Sequence, residues 1–424
     1  MNNPLTTAFS GLPALDQLRA QAATIDVAAT RLPANAHIHL PPNFSAFDTI
    51  SKATDLAADQ SVGVLGVSNY YDYSVYGPFT ENALAYNIFP LYGLEIIAMI
   101  DGLRNSGVLT NDPGNPGKIY ICGKGITTFS DMSPRGAEIL QKIRDNDRDR
   151  MTTMTSKLDT VCRERGFDAA IDGAAVIDMI VDRHNSPRGT VYIQERHIAQ
   201  AFQEALFTRV GEYQRAPVLA ELLGQDTKDA DDDVGVQGEI RSHLMKAGKP
   251  AFVDESFVAL EEAVELILQF GGIPSYPTLA DGTSPICTFE DPVDELLQNL
   301  RNYNFHAAEF IPIRNTADVL TTYATAMRDA GMVVTGGTEH NTLDLIGIEP
   351  TCVGKEPVPD SVKEIFWEGA CVVAAHQYLG HRGESGFVDH AGEPNSDYSS
   401  ANERIEAFSR LGAAIINAYR NPGS

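Results

Sequence analysis

The sequence AHIHLPPNFS at residues 36–45 places two histidines two positions apart at the end of a short apolar run. In a β-strand, residues two apart point to the same face, so the imidazoles of His37 and His39 are expected to reach one ion. Pro41 and Pro42 stiffen the loop that follows. Ordinary surface or core histidines also occur at this spacing, so the stretch indicates a metal site only together with further ligands.

Short β-rich runs alternate with helical patterns outward from this stretch, which is typical of βα units and a parallel sheet. Helical spacing of apolar residues appears at 47–59, 262–270, 291–302, 317–330 and 401–419. The predicted strands lie at residues 36–40, 62–67, 89–97, 118–122, 272–276, 307–313 and 332–335.

The alternation stops between residues 133 and 249, where the patterns are almost exclusively helical. A helical block between two β-rich stretches indicates an insertion. We therefore expect an α/β unit formed by residues 1–132 and 250–424, with a helical insertion (lid) domain at 133–249. Such a lid lies where it can determine substrate choice. The helices predicted within it span 137–165, 173–182, 195–211 and 216–223.

The composition excludes several classes of partner. The chain has 32 Lys and Arg against 57 Asp and Glu, a formal net charge of −25, which repels nucleic acid and anionic lipid. The five cysteines show no CxxC spacing, and no signal peptide or membrane-length apolar run is present. We expect a cytoplasmic protein with a small-molecule substrate, no nucleic acid as a bulk partner and no membrane; a homo-oligomer stays open.

Two further stretches contain candidate ligands. Glu95 ends the apolar run LYGLE at residues 91–95, and a buried carboxylate needs a cation or several donors. Glu339 and His340 follow the strand at 332–335, in the sequence GGTEHN at residues 336–341. Barrel enzymes keep catalytic groups at such strand ends. With His37 and His39, these residues predict one or two divalent ions, either zinc, manganese or iron.

The order of these motifs resembles the PHP family, named for polymerase and histidinol phosphatase. The resemblance implies a distorted (β/α)7 TIM-like barrel that binds up to three metal ions and hydrolyses phosphoesters. One branch, which includes nucleoside bisphosphate phosphatases, also has a helical insertion with an Arg-x-His-Ile-Ala motif. The matching stretches here are His37-Ile38-His39 followed by Phe44-Ser45, Gly93-Leu94-Glu95, Glu195-Arg196-His197-Ile198-Ala199, Phe305-His306-Ala307-Ala308-Glu309 and Gly337-Thr338-Glu339-His340.

Several family positions differ. The family's Thr-Asp-His appears as Ser68-Asn69-Tyr70, its Ala-His-Pro as Ser275-Tyr276-Pro277, and its histidine near residues 118–122 is missing. The resemblance therefore implies five remaining metal ligands, which hold one ion or at most two: His37, His39, Glu95, Glu339 and His340.

The motif positions also imply roles beyond metal binding. Glu339 or Asp72 is expected to act as general base, while His197 or Arg196 contacts the leaving group or phosphate. The candidate substrate-binding residues are Arg196, His184, Tyr70 and Tyr276.

Three functions are compatible with these patterns. The first is a metal-dependent hydrolase, a phosphoesterase acting on a nucleotide or sugar phosphate. The second is a catalytically inactive barrel that binds or regulates. The third is an amidohydrolase or sugar isomerase, because HxH on a first strand occurs in those folds too. Against the third, the sequence shows no evident lysine for a carbamate on a middle strand and no isolated Asp after a late strand.

Overall fold

The computed structural model describes residues 3–129 and 132–422. Within them, a single sheet runs in the order β1-β2-β3-β4-β6-β7-β8, and the two-residue β5 pairs with the end of β3. The strands are β1 (Ala34–Ile38), β2 (Val64–Val67), β3 (Phe89–Met99), β4 (Lys118–Lys124), β5 (Val258–Ala259), β6 (Ile273–Thr278), β7 (Ala307–Phe310) and β8 (Val333–Gly336).

The sheet closes almost into a barrel. A parallel bridge joins Ile38 to Glu339, and the His39 amide donates to the Glu339 carbonyl at 2.8 Å, so β1 meets the segment after β8. This nearly closed barrel of mixed α/β structure confirms the predicted fold class. Gly337 allows the closure, because a Cβ there would lie 2.4 Å from the His37 Cβ.

One strand runs against the others. β4 pairs antiparallel with both β3 and β6, whereas β1–β3 and β6–β8 pair in parallel. The prediction of a purely parallel sheet is therefore wrong at β4. The short helix α5 and a loop bring the chain straight back beside β3, so no crossover helix intervenes.

The helices fall into three groups. Most of those between strands pack an apolar stripe against the outside of the barrel, as α11 does with Leu260, Leu266 and Ile267. The others form the insertion (α6–α10) or the two ends of the chain. The helices are α1 (Pro4–Phe9), α2 (Leu15–Ala22), α3 (Ile50–Asp59), α4 (Tyr76–Ala85), α5 (Asp101–Ser106), α6 (Pro134–Glu164), α7 (Gly173–His184), α8 (Glu195–Arg209), α9 (Glu212–Leu223), α10 (Asp233–Ile240), α11 (Leu260–Gln269), α12 (Val293–Asn302), α13 (Ala317–Asp329), α14 (Asp360–His381) and α15 (Ala401–Arg420).

The insertion has a hydrophobic core of its own, and α6 connects it to the barrel. Ile139 and Ile143 in the first half of α6 join the barrel core, whereas Met154 and Leu158 in its second half join the core of the insertion. A continuous helix of 31 residues thus holds the insertion beside the barrel. No helix in the described part of the chain has the length and apolar character needed to cross a membrane.

Candidate metal centre

Three buried side chains converge inside the barrel mouth. His37 lies on β1, His39 follows the end of that strand, and Glu95 lies on β3. The two Nε2 atoms are 3.3 Å apart, and the Glu95 Oε2 lies 3.1 Å from that of His39 and 3.5 Å from that of His37. The spacing of two along the first strand therefore brings both imidazoles to one point, as predicted.

The size of this triangle fits a metal ion. Ligand atoms about 2.0–2.1 Å from a tetrahedrally coordinated ion lie about 3.3 Å apart. The three measured separations bracket that value. Three protein ligands leave the fourth position open, as in catalytic zinc sites.

Glu309 fixes the orientation of His37. The Nδ1–H of His37 donates to the Glu309 Oε1 at 2.8 Å, which leaves the Nε2 lone pair pointing at Glu95. A second carboxylate behind a ligating histidine is the usual arrangement at protein metal sites. A lone pair and a carboxylate oxygen facing each other in a buried space repel unless a cation lies between them.

The pKa values show the same demand for positive charge. Burial alone would lower the pKa of His37, but the charge of Glu309 and hydrogen bonds to carboxylates raise it to about 9. Burial would raise the pKa of Glu95, yet hydrogen bonds from His37 and His39 hold it well below its usual range. Either a proton on His37 or a divalent cation satisfies the two carboxylates.

Lys124 completes a second buried cluster beside the first. Its ammonium forms an ion pair with the Glu309 Oε2 and lies 3.3 Å from the Ala36 carbonyl. Cys122 Sγ donates to the Glu309 Oε1 at 3.3 Å. Among the described residues, two groups could hold an ion by spacing: His37, His39 and Glu95, and His37, Cys122 and Glu309.

Lys124 lies on a middle strand, where no lysine suited to a carbamate was expected from the sequence. The available signal was a charged residue at the end of the apolar run that forms β4. Burial would lower the pKa of Lys124, but Glu309 raises it above its ordinary value. A carbamate needs a neutral amine, so this pairing opposes carbamylation.

A cleft of about 480 Å³ opens above the metal centre, between the barrel mouth and the insertion, and includes Glu95. Six cations and six carboxylates line it, although acids far outnumber bases in the whole chain. The proportion of cations in the cleft is therefore higher than in the chain as a whole. The charged residues are Lys118, Arg150, Arg196, Arg241, Lys246 and Arg314, with Glu95, Asp112, Asp147, Glu195, Glu255 and Glu339.

Most of these charges are paired. Glu195 binds Arg150 at 2.7 Å and Lys246 at 2.6 Å, and Glu255 binds Lys118 at 2.7 Å. Arg150 also lies 3.3 Å from Glu255, and this pair joins the insertion to the barrel. Neither Arg196 nor Asp147 has an ion pair within the described part of the chain.

Arg196 is a cation of the cleft that forms no ion pair with another described residue. It lies at the start of α8, and its largely buried guanidinium faces Arg241 and Arg314 as well as Glu339. Burial and the neighbouring arginines lower its pKa to about 10. It therefore stays charged at neutral pH and provides a site for an anion.

Asp147 is a carboxyl group of the cleft that forms no ion pair with another described residue. Its Oδ2 is buried and lacks a hydrogen-bond partner, and burial raises its pKa to about 7. A neutral carboxyl group in a cleft can donate a proton to a bound molecule. Sequence reasoning missed it because α6 carries several acidic residues and nothing in the sequence shows which one faces the barrel.

Four of the predicted site residues line the cleft: Tyr70, Glu95, Arg196 and Glu339. The Tyr70 ring stacks on His39 with centroids 5.2 Å apart and planes at 4°. The Glu339 carboxylate is held by Arg314 and by the side-chain amide of Asn341.

The structure does not bring His340 into the metal group. Its Nδ1 lies 2.7 Å from Thr338 Oγ1 and its Nε2 lies 3.1 Å from the Ile346 carbonyl, so both ring nitrogens are engaged. Its ring also stacks on Phe47. The cause is local: Glu339 and His340 both adopt left-handed backbone angles, with φ of 56° and 52°, which turn the imidazole away from the mouth.

The two predicted histidines of the insertion also lie away from the cleft. His197 is buried, accepts from the Gln194 amide through Nδ1 and packs on Phe44. His184, at the end of α7, contacts the Asp48 carbonyl at 2.9 Å. Both therefore fill structural positions here.

Asp72 and Tyr276 are placed outside the cleft as well. Asp72 accepts hydrogen bonds from Ser74, and its other oxygen lies 3.8 Å from Arg144. Tyr276 is fully buried, and its hydroxyl donates to Glu290 at 2.8 Å. Tyr276, named from the sequence as a candidate substrate-binding residue, is therefore part of the core.

No protein-family model and no curated protein matches this chain. Two solved structures are similar to it. An amidohydrolase from Chromobacterium violaceum, with bound sulfate and no metal, is 16% identical, with 78% of this chain and 96% of that one covered at a TM-score of 0.49. A candidate metal-dependent phosphoesterase from Bifidobacterium adolescentis is 14% identical, with 78% and 93% covered at a TM-score of 0.53. At 14% identity, the similarity to the Bifidobacterium structure shows a shared fold.

Proposed function

We propose that this protein is a metal-dependent phosphoesterase that acts on a small anionic metabolite, a nucleotide or sugar phosphate. The observation that carries the proposal is the triangle of His37, His39 and Glu95 beneath a cation-lined cleft. The resemblance of the sequence to the PHP family and the name of the Bifidobacterium structure point in the same direction.

His37, His39 and Glu95 would hold the ion, and Glu309 keeps the His37 ring in place. A divalent ion bound there would supply a water molecule of lowered pKa as nucleophile. Tyr70 covers one side of His39 and excludes solvent from that ligand. Asn69 would not be a ligand, because its side chain bonds both the amide and the carbonyl of Leu40 at 2.8 Å.

The arginines would bind the substrate's negative charge. Arg196, Arg241 and Arg314 approach from both walls of the cleft, and Arg196 has no ion pair to lose among residues 3–129 and 132–422. Guanidinium groups suit phosphate because they donate two parallel hydrogen bonds. In a chain of net charge −25, such a cluster concentrates anions where the rest of the surface repels them.

Two carboxyl groups can move protons in the cleft. Asp147 is neutral up to about pH 7 and would protonate the leaving oxygen. Glu339, which is held by Arg314, would accept the proton of the attacking water.

The test is metal content by elemental mass spectrometry together with a phosphoester screen, on protein purified without chelator or affinity metal. The variants are His37→Ala/His39→Ala and, as a matched control outside the cleft, His184→Ala. We expect about one equivalent of zinc, manganese or iron and measurable turnover, both lost in the double variant and kept in the control. Metal-free, inactive wild-type protein would refute the proposal and leave a barrel used for binding.

A further inference from the structure

Lys124 occupies a position in the barrel where a second cation would otherwise be needed. Its ammonium is buried, contacts the Glu309 Oε2, and lies 3.4 Å from Ser68 Oγ. The other oxygen of Glu309 binds His37 and Cys122. All the negative charge of Glu309 is thus used by groups of the chain itself.

The second ligand group shows what this arrangement replaces. His37 Nδ1, Cys122 Sγ and a Glu309 oxygen lie close enough to hold an ion of their own. For that ion to bind, His37 would have to give up the hydrogen bond that directs its Nε2 to the first site, and the ion would meet the Lys124 ammonium across Glu309.

Charge balance favours one ion. Two buried carboxylates, Glu95 and Glu309, and one ammonium, Lys124, carry a net charge of minus one. One divalent ion brings this interior to plus one, whereas two would bring it to plus three. Uncompensated charge in a buried space is strongly unfavourable.

We propose that the Lys124 ammonium stands in for a second metal ion, so that the centre is mononuclear by construction. This inference rests on the proposed metal site at His37, His39 and Glu95. It assigns Lys124 a positioning role: the ammonium neutralises Glu309, which in turn fixes the His37 ring.

The experiment uses manganese as the probe. Wild type, Lys124→Met, Glu309→Gln and the double variant Lys124→Met/Glu309→Gln are loaded with Mn²⁺, and ions per chain are counted by elemental mass spectrometry. Electron paramagnetic resonance then distinguishes an isolated ion from an exchange-coupled pair. Lys52→Met, which removes an exposed lysine of α3, is the matched control.

We expect one isolated ion in wild type and in the control, and a second, coupled ion in Lys124→Met. Glu309→Gln leaves the ammonium uncompensated and should weaken the first ion by about 10- to 100-fold. The double variant, which restores charge balance, should recover most of that loss.

Two coupled ions in wild type would overturn the inference, and so would a single ion of unchanged affinity in Lys124→Met. If Lys124→Met fails to fold, the wild-type count and the comparison of Glu309→Gln with the double variant still decide the question. No ion in wild type would instead refute the proposed function on which the inference rests.

Discussion

At the scale of single residues, the hydrogen bond from His37 to Glu309 decides which ring nitrogen faces the mouth of the barrel. Without this hydrogen bond the His37 ring could rotate, and its Nε2 would not be held beside the Nε2 of His39. Asp147 and Arg196 are the two charged residues lining the cleft that form no ion pair with another described residue. Both lack the partner that every other charged residue lining the cleft has.

Asp147 gives a prediction for pH dependence. Its pKa is raised to about 7, so the carboxyl is protonated below that pH and loses its proton above it. If it donates a proton to the leaving group, kcat/KM for an alkyl phosphate should fall as pH rises through about 7. Asp147→Asn should remove this limb and lower the rate about 100-fold or more.

The leaving group separates a chemical role of Asp147 from a structural one. A nitrophenolate needs no proton to depart, so Asp147→Asn should hydrolyse p-nitrophenyl phosphate nearly as wild type does. Asp149→Asn, an exposed neighbour on α6, serves as control. Equal losses on both substrates would contradict proton donation.

Arg196 gives a prediction for binding. Arg196→Gln removes a charged donor that has no internal partner, so the fold should keep its stability while KM rises about 10- to 100-fold. Steady-state kinetics of the variant check the rise in KM, and thermal unfolding of the same preparation checks the unchanged stability. Arg188→Gln, an exposed arginine of the insertion, is the control. Unchanged KM would show that the anion binds elsewhere.

The residue scale also shows what the sequence could and could not give. His37, His39 and Glu95 were found because strand periodicity and burial of a carboxylate are visible in the sequence. His340 was misplaced because two consecutive left-handed residues reverse its direction, and neither Glu339 nor His340 is a glycine that would signal them.

At the scale of elements, the predicted strands are all present. The differences are the direction of β4 and several helices that were not predicted, among them α2, α4 and α14. Strand β4 runs backwards, which brings Lys124 into the interior under the metal centre. Helix α14 was not predicted because it is apolar around most of its circumference and shows no amphipathic period. It lies between β8 on one side and α15 on the other, so nearly all of its surface is buried.

The close contact of α14 and α15 gives a stability prediction. A Cβ at Gly412 would lie 1.8 Å from the Cys371 carbonyl, so Gly412→Ala must push the two helices apart. We expect a loss of about 1–3 kcal/mol in the free energy of unfolding, measured by urea denaturation.

The matched control is Gly238→Ala in α10, where a Cβ meets nothing within 4 Å. It should stabilise by roughly 0.5–1 kcal/mol, because alanine favours a helix over glycine. Equal stability of Gly412→Ala and wild type would contradict the described packing.

At the scale of the whole molecule, the barrel supplies the candidate metal ligands and the insertion supplies most of the cations of the cleft. The ion pair of Arg150 with Glu255, at 3.3 Å, joins the two parts beside this space. The insertion was predictable from the break in βα alternation. Its contribution to the cleft was not, because the facing residues are set by how α6 and α8 pack on the barrel.

Metal binding should be coupled to the stability of the whole fold. A ligand that binds only the folded state stabilises it by about 2.7 kcal/mol at one hundred times its Kd. Calorimetry should therefore show that a chelator lowers the Tm of wild type by several degrees. The His37→Ala/His39→Ala variant should show no response, and a chelator effect of the same size in that variant would place the ion elsewhere.

The most direct measurement of the central claim is anomalous X-ray diffraction at the absorption edge of the metal found in the purified protein. The account predicts a single peak about 2.0–2.2 Å from His37 Nε2, His39 Nε2 and a Glu95 oxygen, with the Lys124 ammonium still bound to Glu309. A peak elsewhere, two peaks sharing Glu309, or no peak in metal-soaked crystals would contradict it.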